Sequence, residues 1–368
     1  MKQGWEIKKI KDICNKASSN IAQNKIVELD GDYPVFGASG FVQNIDFYHR
    51  DKRYIGVVKD GSGVGRVNIY PPYSSLLGTL QYILPNDGYD LDFVAYALKR
   101  VNLPKFSSGA AIPHIYFRDY GEAEIAVPSL DEQKRIVEIL DKEFEKIDTL
   151  QANAEKGLQQ AKDLFQSALK QELQPKEGWN KCVMSDVCEL SQGLAINSKT
   201  KHLIIEHSST PLLRIKDLKD NTESIYVDGD KCPKGSMVDI QDIIYTRTGT
   251  LGLVFTGRKG VMHNNCFKIK INENIIYKVY FIYYIGSALF RDKIIRLAER
   301  TAQPDITHRI FGSQIFEYPS IEKQAIIAKR LDKLNEHCNT LQKNYEKTIA
   351  LCDDMKQALL RKAFNGEF

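Results

Sequence analysis

The sequence predicts an α+β chain built twice: two mixed α/β globules, each followed by one long helix, with approximate two-fold symmetry. Three observations carry this. Residues 128–173 match residues 319–364 at a constant offset of 191, with 17 of 46 positions identical. Both stretches place apolar residues near a 3.5-residue period, the mark of a coiled-coil seam rather than of the broader stripe of a globular helix. The segments ahead of them carry short β-branched and aromatic runs broken by Gly, Pro, Asn and Asp, which is strand-and-turn chemistry. Solenoid repeats run about 20–50 residues, so an offset of 191 means two copies of a domain-sized unit.

Each copy opens alike. Gly4-Trp5 and Asp12-Ile13-Cys14 return as Gly178-Trp179 and Asp186-Val187-Cys188, here 174 apart. The boundaries read as 1–127 for the first globule, 128–175 for the first long helix, 176–318 for the second globule and 319–368 for the second helix. Residues 53–58 and 242–246 read as strands, residues 91–101 as a helix, and residues 279–297 as a further helix. Pro128-Ser129 and Pro319-Ser320, each followed by acidic residues, suit helix starts with the serine as cap. The first seam is expected at Leu140, Phe144, Ile147, Leu150, Ala154, Leu158 and Ala161. The second is expected at Leu331, Leu334, Cys338, Leu341, Cys352 and Met355. About 44 residues at 1.5 Å each give a rod of ~65 Å. One such helix would expose its seam; two equivalent ones can cover each other. Their leucines, with Ile147 and Met355, are therefore the expected coiled-coil and partner interface.

Composition bounds the partners. The chain has 51 Lys and Arg against 47 Asp and Glu, a net charge of +4. That is too little for a general nucleic-acid coat but permits local basic faces. The excess sits mainly in residues 176–318, with 20 basic against 16 acidic side chains, while residues 1–127 hold 15 against 14. Seven cysteines without a Cys-x-x-Cys pair fit a reduced, cytoplasmic chain rather than a disulfide framework or zinc site. No signal peptide or membrane-length apolar run is present.

Three motifs suggest catalysis and fail on chemistry. Asp60-Gly61-Ser62-Gly63-Val64-Gly65 resembles a nucleotide loop, but such a loop should open a helix whose N–H groups meet the phosphate. The residues that follow, Arg66 to Pro72, are extended in pattern, so a tight turn between strands is expected. Tyr70-Pro71-Pro72-Tyr73 resembles the amino-methyltransferase motif, yet Tyr70 cannot accept from a target amine as Asn or Asp does. Pro304-Asp305 lacks the acid-x-Lys partner of a metal-dependent nuclease.

Recognition chemistry does repeat. Gly61-Ser62-x-x-Gly65 corresponds to Gly249-Thr250-x-Gly252. Ala111-Ile112-Pro113-His114-Ile115 corresponds to Ala302-Gln303-Pro304-Asp305-Ile306 at the 191 offset. Around these turns lie side chains suited to base edges and phosphates: Lys59, Ser62, Arg66 and His114 in the first copy, and Arg247, Thr250, Arg258, Lys259, His263, Asn264, Asn265 and Gln303 in the second. Arg reads guanine and Asn or Gln reads adenine in the major groove. Arg247 and Asn264 are the expected base contacts.

The chain resembles the specificity (S) subunit of type I restriction–modification systems. The resemblance rests on the paired Pro-Ser-x-x-x-Gln helix starts, Ala-Gln-Pro-Asp-Ile-Thr at 302–307, the Gly-Trp openings and the ending Leu360-Arg361-Lys362-Ala363-Phe364-Asn365-Gly366-Glu367. It implies two target-recognition domains held apart by an antiparallel coiled coil, with no catalytic centre, cofactor or metal. It also implies a double-stranded, bipartite, asymmetric DNA site with a fixed gap. The implied partners are two methyltransferase subunits and, in the full complex, two restriction/translocase subunits, which carry adenine methylation and cleavage. The first helix ends in Ser167-Ala168-Leu169-Lys170-Gln171-Glu172-Leu173, without Ala-Phe-x-Gly-Glu, which leaves the equivalence of the two helix ends open. Two other classes stay open from the residues alone: a stand-alone nucleic-acid-binding or architectural protein with a dimerising coiled coil, and an enzyme whose site the pattern does not display.

Overall fold

The computed structural model of the chain describes residues 4–109, 112–206, 208–299 and 303–368. Ala111 and Ala302, named above in the repeated loop, lie outside the described residues. Five described helices have eight residues or more: α1 (Leu91–Arg100), α2 (Leu130–Leu173), α3 (Lys278–Gly286), α4 (Ala288–Ala298) and α5 (Ile321–Phe364). The two long helices are each 44 residues, and both their first and their last residues are 191 apart. The helix ends are therefore equivalent, with Leu173 in the place of Phe364. The expected single helix over 279–297 is two, α3 and α4. Gly286 ends the first, and Ser287 caps the second by accepting from the Phe290 N–H. No described helix is long and apolar enough to cross a membrane.

The chain forms two compact units, Met1–Lys156 with Tyr345–Phe368, and Gly157–Asn344. Each takes in part of both long helices. Unit 1 contains β1 (Glu6–Lys9), β2 (Cys14–Ser18), β3 (Tyr33–Gly37), β4 (Gly40–Ile45), β5 (Tyr54–Val58), β6 (Val67–Tyr70), β7 (Ser75–Leu76), β8 (Leu80–Pro85) and β9 (Glu124–Val127). They make an antiparallel sheet β2-β8-β5-β6, a smaller sheet β4-β3-β7 with β3 and β7 parallel, and a two-stranded clasp β1-β9 that returns the chain to α2. The Gly61–Gly65 segment is the β5–β6 turn, as its extended sequel requires, rather than a helix-opening loop. Ile55, Val57, Ile83, Phe93 and Leu98 fill the core beneath the large sheet.

Unit 2 repeats this plan with β10 (Asn180–Val183), β11 (Cys188–Gln192), β12 (Leu212–Leu213), β13 (Met237–Val238), β14 (Ile243–Thr246), β15 (Val254–Phe255), β16 (Gly260–Met262), β17 (Cys266–Ile271) and β18 (Ile315–Tyr318). The sheets run β11-β17-β14-β15, β12-β16-β13 and β10-β18, and β12 pairs with β16 in parallel as β3 does with β7. The matched cysteines explain one repeated motif. The Cys14 thiol donates to the Ile10 carbonyl at 3.2 Å and the Cys188 thiol to that of Met184 at 3.1 Å. Burial pushes both thiols up to about 12, so they are inert core groups.

Within unit 1, α2 and α5 pack antiparallel. Ile136 and Leu140 join Leu360, Ala363 and Phe364 in the core, and Lys356 Nζ lies 2.6 Å from Asp148 Oδ1. Within unit 2, Leu169 and Leu173 of α2 join Ile327, Ala328 and Leu331 of α5. The seam differs from expectation at three positions. Leu140, Ile147 and Leu331 are buried, and Leu158 and Leu334 are half-buried. Leu150, Leu341 and Met355, however, are 44%, 41% and 46% exposed. Their neighbours Gln151, Gln342 and Lys356 are more buried than they are. In unit 1, Lys356 Nζ donates to Gln151 Oε1 at 3.3 Å. The 3.5-residue period puts the polar residue inward and turns the adjacent apolar one outward.

Candidate nucleic-acid interface

In unit 1 the chain leaves β5 at Lys59 and turns through Gly61, whose φ of 90° suits glycine. The returning segment before β9 docks on it. Ile115 N donates to the Lys59 carbonyl at 2.9 Å, Gly61 N donates to the Pro113 carbonyl at 3.0 Å, and Asp60 bridges His114. This places three side chains in one cluster. Asp60 pairs with Lys59 through Oδ2, and His114 Nδ1 lies 2.6 Å from Asp60 Oδ1. Burial alone would raise the Asp60 carboxyl. The hydrogen bonds from Lys59 and His114 outweigh burial and hold it below its ordinary value. Ser62 and Arg66 are exposed on the same turn, with Arg66 Nε 3.4 Å from the Gly63 carbonyl.

Unit 2 builds the same crossing from different residues. Ile306 N donates to the Arg247 carbonyl at 2.9 Å, and Thr248 bridges Asp305. Lys59 and Arg247 are thus counterparts, as are His114 and Asp305. Arg247 is committed: Nε donates to Asp305 Oδ1 at 2.8 Å, Nη2 to Asp305 Oδ2, and Nη1 to Gln192 Oε1 at 2.8 Å. Its side chain is 16% exposed, and two of its five N–H groups remain to donate. Both Asp305 carboxylate oxygens accept from this guanidinium. No described group of three or more His, Cys, Asp or Glu residues could hold a metal ion. His308 sits beside the pair; burial and the Arg247 charge push its pKa down.

The structure redistributes the remaining candidates. Asn265, rather than Asn264, abuts the turn: its carbonyl accepts from the Arg247 N–H at 2.8 Å, whereas Asn264 N donates to Leu194 on another crossing. Thr250 Oγ1 accepts from Lys219 Nζ at 3.0 Å. His263 Nδ1 accepts from Asn265 N at 3.3 Å, and burial and the Arg214 charge lower its pKa. The largely buried Arg258 guanidinium bonds the Asn221 side chain and the Thr222 carbonyl. Lys259 and Gln303 are exposed.

Three frame contacts were not legible as sequence, although Gln133 and Gln324 themselves recur as the last residue of the repeated helix starts. Gln192 carries no repeated signal. Gln133 and Gln324 are buried, and each staples its long helix to the α1 or α3 entry. The Tyr96 hydroxyl donates to Asp141, and the Tyr283 hydroxyl to Asp332 at 2.7 Å.

A family model described as the type I restriction modification DNA specificity domain matches residues 2–160 and again 176–351. The chain is 24% identical over 315 residues to the type I restriction enzyme EcoKI specificity subunit of Escherichia coli (strain K12), covering 76% of this chain and 65% of that one. It is 22% identical over 293 residues to the EcoBI specificity subunit of Escherichia coli, covering 71% and 62%. The chain thus spans a little under two thirds of the length of these relatives. A solved structure described as the structural basis of complex assembly and conformational transition of the type I R-M system contains a chain that superposes with a TM-score of 0.79 at 16% identity, covering 100% and 99%. The HsdS subunit from Thermoanaerobacter tengcongensis superposes with a TM-score of 0.58 at 16% identity, covering 100% and 98%. The fold is shared with these structures, and the curated relatives are named as specificity subunits of type I restriction enzymes. With one match on each of its two units, the chain belongs to the type I restriction modification DNA specificity family.

Proposed function

We propose that the chain is the DNA-reading subunit of a type I restriction–modification complex, in which each unit reads one half of a bipartite, asymmetric duplex site. The carrying observation is one backbone crossing furnished with two chemistries: Lys59, Asp60 and His114 in unit 1, Arg247, Asp305 and Gln192 in unit 2. One frame with unlike tips suits two half-sites of unlike sequence. Arg247, held by Asp305 and Gln192, keeps donors for a guanine edge. Asp60 keeps acceptor capacity for an exocyclic amino group.

The paired helices fix the gap and dock two methyltransferase subunits, with two restriction/translocase subunits joining for cleavage. The outward-facing Leu150, Leu341 and Met355 support the docking, because apolar side chains beside a closed seam gain by burial against a partner helix. The chain supplies recognition and no chemistry. Co-expression with a methyltransferase subunit, followed by selection from a random duplex pool, tests this. A two-part motif with one spacing is expected. A pool that returns without enrichment, or methyl transfer by the chain alone with S-adenosylmethionine, would overturn it.

A further inference from the structure

The Tyr70-Pro71-Pro72-Tyr73 segment, which carries no methyltransferase chemistry, has an unusual geometry. Tyr73 has φ of 54°, in the left-handed region. The other non-glycine residues there among those described are Asn102 and Asn221, a type that tolerates it. Tyrosine does not, and strain of this kind persists where the surroundings impose it. They do so here. Ser74 is fully buried; its Oγ donates to the Pro71 carbonyl at 2.6 Å and pairs with the Tyr54 hydroxyl at 2.8 Å. The Ser74 backbone exchanges hydrogen bonds with Arg50, each 3.2 Å.

This rigid base holds aromatic rings in solvent. Tyr73 is 52% and Tyr48 40% exposed. Their centroids are 5.2 Å apart at an interplanar angle of 88°, and Tyr48 stands edge-on to Tyr33 at 4.8 Å. Exposed Lys52 lies on the Tyr48 loop. In unit 2 the corresponding loop, between β15 and β16, is Thr256-Gly257-Arg258-Lys259 and ends in an exposed cation instead. At the same place in the frame, unit 2 presents an exposed lysine and unit 1 the exposed Tyr73 ring, with Tyr48 of the β4–β5 loop beside it. A strained, solvent-facing tyrosine adds little to the core, so its value lies in something outside the chain.

Resting on the DNA-reading role, we infer that Tyr73 and Tyr48 form a stacking contact for an unstacked nucleobase of the duplex bound by unit 1. Aromatic faces stack on any base, and side chains inserted at a base step unstack and kink the duplex. The test uses the full chain and fluorescence anisotropy with two probes: a random-sequence duplex, and the same duplex with a short unpaired bubble at its centre. Wild type should prefer the bubble by about tenfold, because unstacking is then already complete. Tyr73→Gly, which suits the left-handed backbone and should fold without loss of melting temperature, should abolish the preference, as should Tyr48→Ser. A Tyr73→Gly chain that keeps the preference overturns the inference, as does a wild type that binds both probes equally. A wild type that binds neither probe also overturns it, because stacking on an unpaired base needs no target sequence; the DNA-reading role is judged separately by the duplex selection with the methyltransferase subunit. Loss of a protein partner by Tyr73→Gly, with both DNA affinities unchanged, would assign the tip to that partner and also overturn it.

Discussion

Gln133 and Gln324, 191 positions apart, make the same connection in the two units. Gln133 Oε1 accepts from the Asp90 N–H at 2.9 Å while its Nε2 donates to the Pro128 carbonyl at 3.0 Å. Gln324 Oε1 accepts from the Tyr277 N–H at 2.9 Å while its Nε2 donates to the Pro319 carbonyl at 2.9 Å. Each amide thus ties the start of a long helix to the start of a short one, which is why Pro-Ser-x-x-x-Gln recurs where the middles diverge. Replacing either glutamine by Ala removes the partner of a part-buried N–H and of a buried proline carbonyl. A loss of about 1–3 kcal/mol is expected, read as a lower midpoint in urea. A midpoint equal to that of wild type would mean the staple is dispensable.

The helix seam gives a paired prediction. Ile147→Ala should cost about 2–5 kcal/mol because the side chain is buried. Leu150→Ala should stay within about 0.5 kcal/mol in the isolated chain, yet release the methyltransferase subunit during co-purification. If Leu150→Ala melts as low as Ile147→Ala, the seam runs through Leu150 after all.

Arg247→Ala should relax the base requirement in one half-site by about 1–3 kcal/mol. It also strands Asp305, so Arg247→Ala with Asp305→Ala should fold better than the single variant and read DNA no better. Binding across single-base variants of the target at two salt concentrations separates a base contact from a phosphate contact, which would weaken all sequences alike and reduce the salt slope.

Asp60 predicts a pH effect. Its carboxyl is held below the ordinary 3.8 by Lys59 and His114. A depressed folded-state pKa contributes stability that is complete above the unfolded-state value and is lost as pH falls through the folded one. Melting followed from neutral pH down through the carboxylate range should therefore fall more steeply for wild type than for Asp60→Asn. Parallel curves would show that Asp60 adds nothing to stability.

Much of the frame was legible because it recurs: the offset of 191 located both helices to within a few residues, and short β-branched and aromatic runs located β5 and β14. The seam was displaced at Leu150 and Leu341 because two adjacent positions both lie near a 3.5-residue period, and apolarity favours the wrong one when Gln151 and Gln342 take the inner place. Asp305 was legible as a repeated loop residue but not as the partner of Arg247, since the two are 58 residues apart and only the fold joins them. Arg258 reads like any surface arginine until Asn221 turns the chain back onto it.

The two-reader account is tested most directly by mapping methylated bases in the host genome with the gene present and deleted. Deletion should remove methylation at one asymmetric motif of two unlike parts with a fixed gap, and inserting four residues after Gln174 should restore it at the same two parts with a new gap. Loss of a single uninterrupted motif, or an unchanged methylation map, would contradict the account.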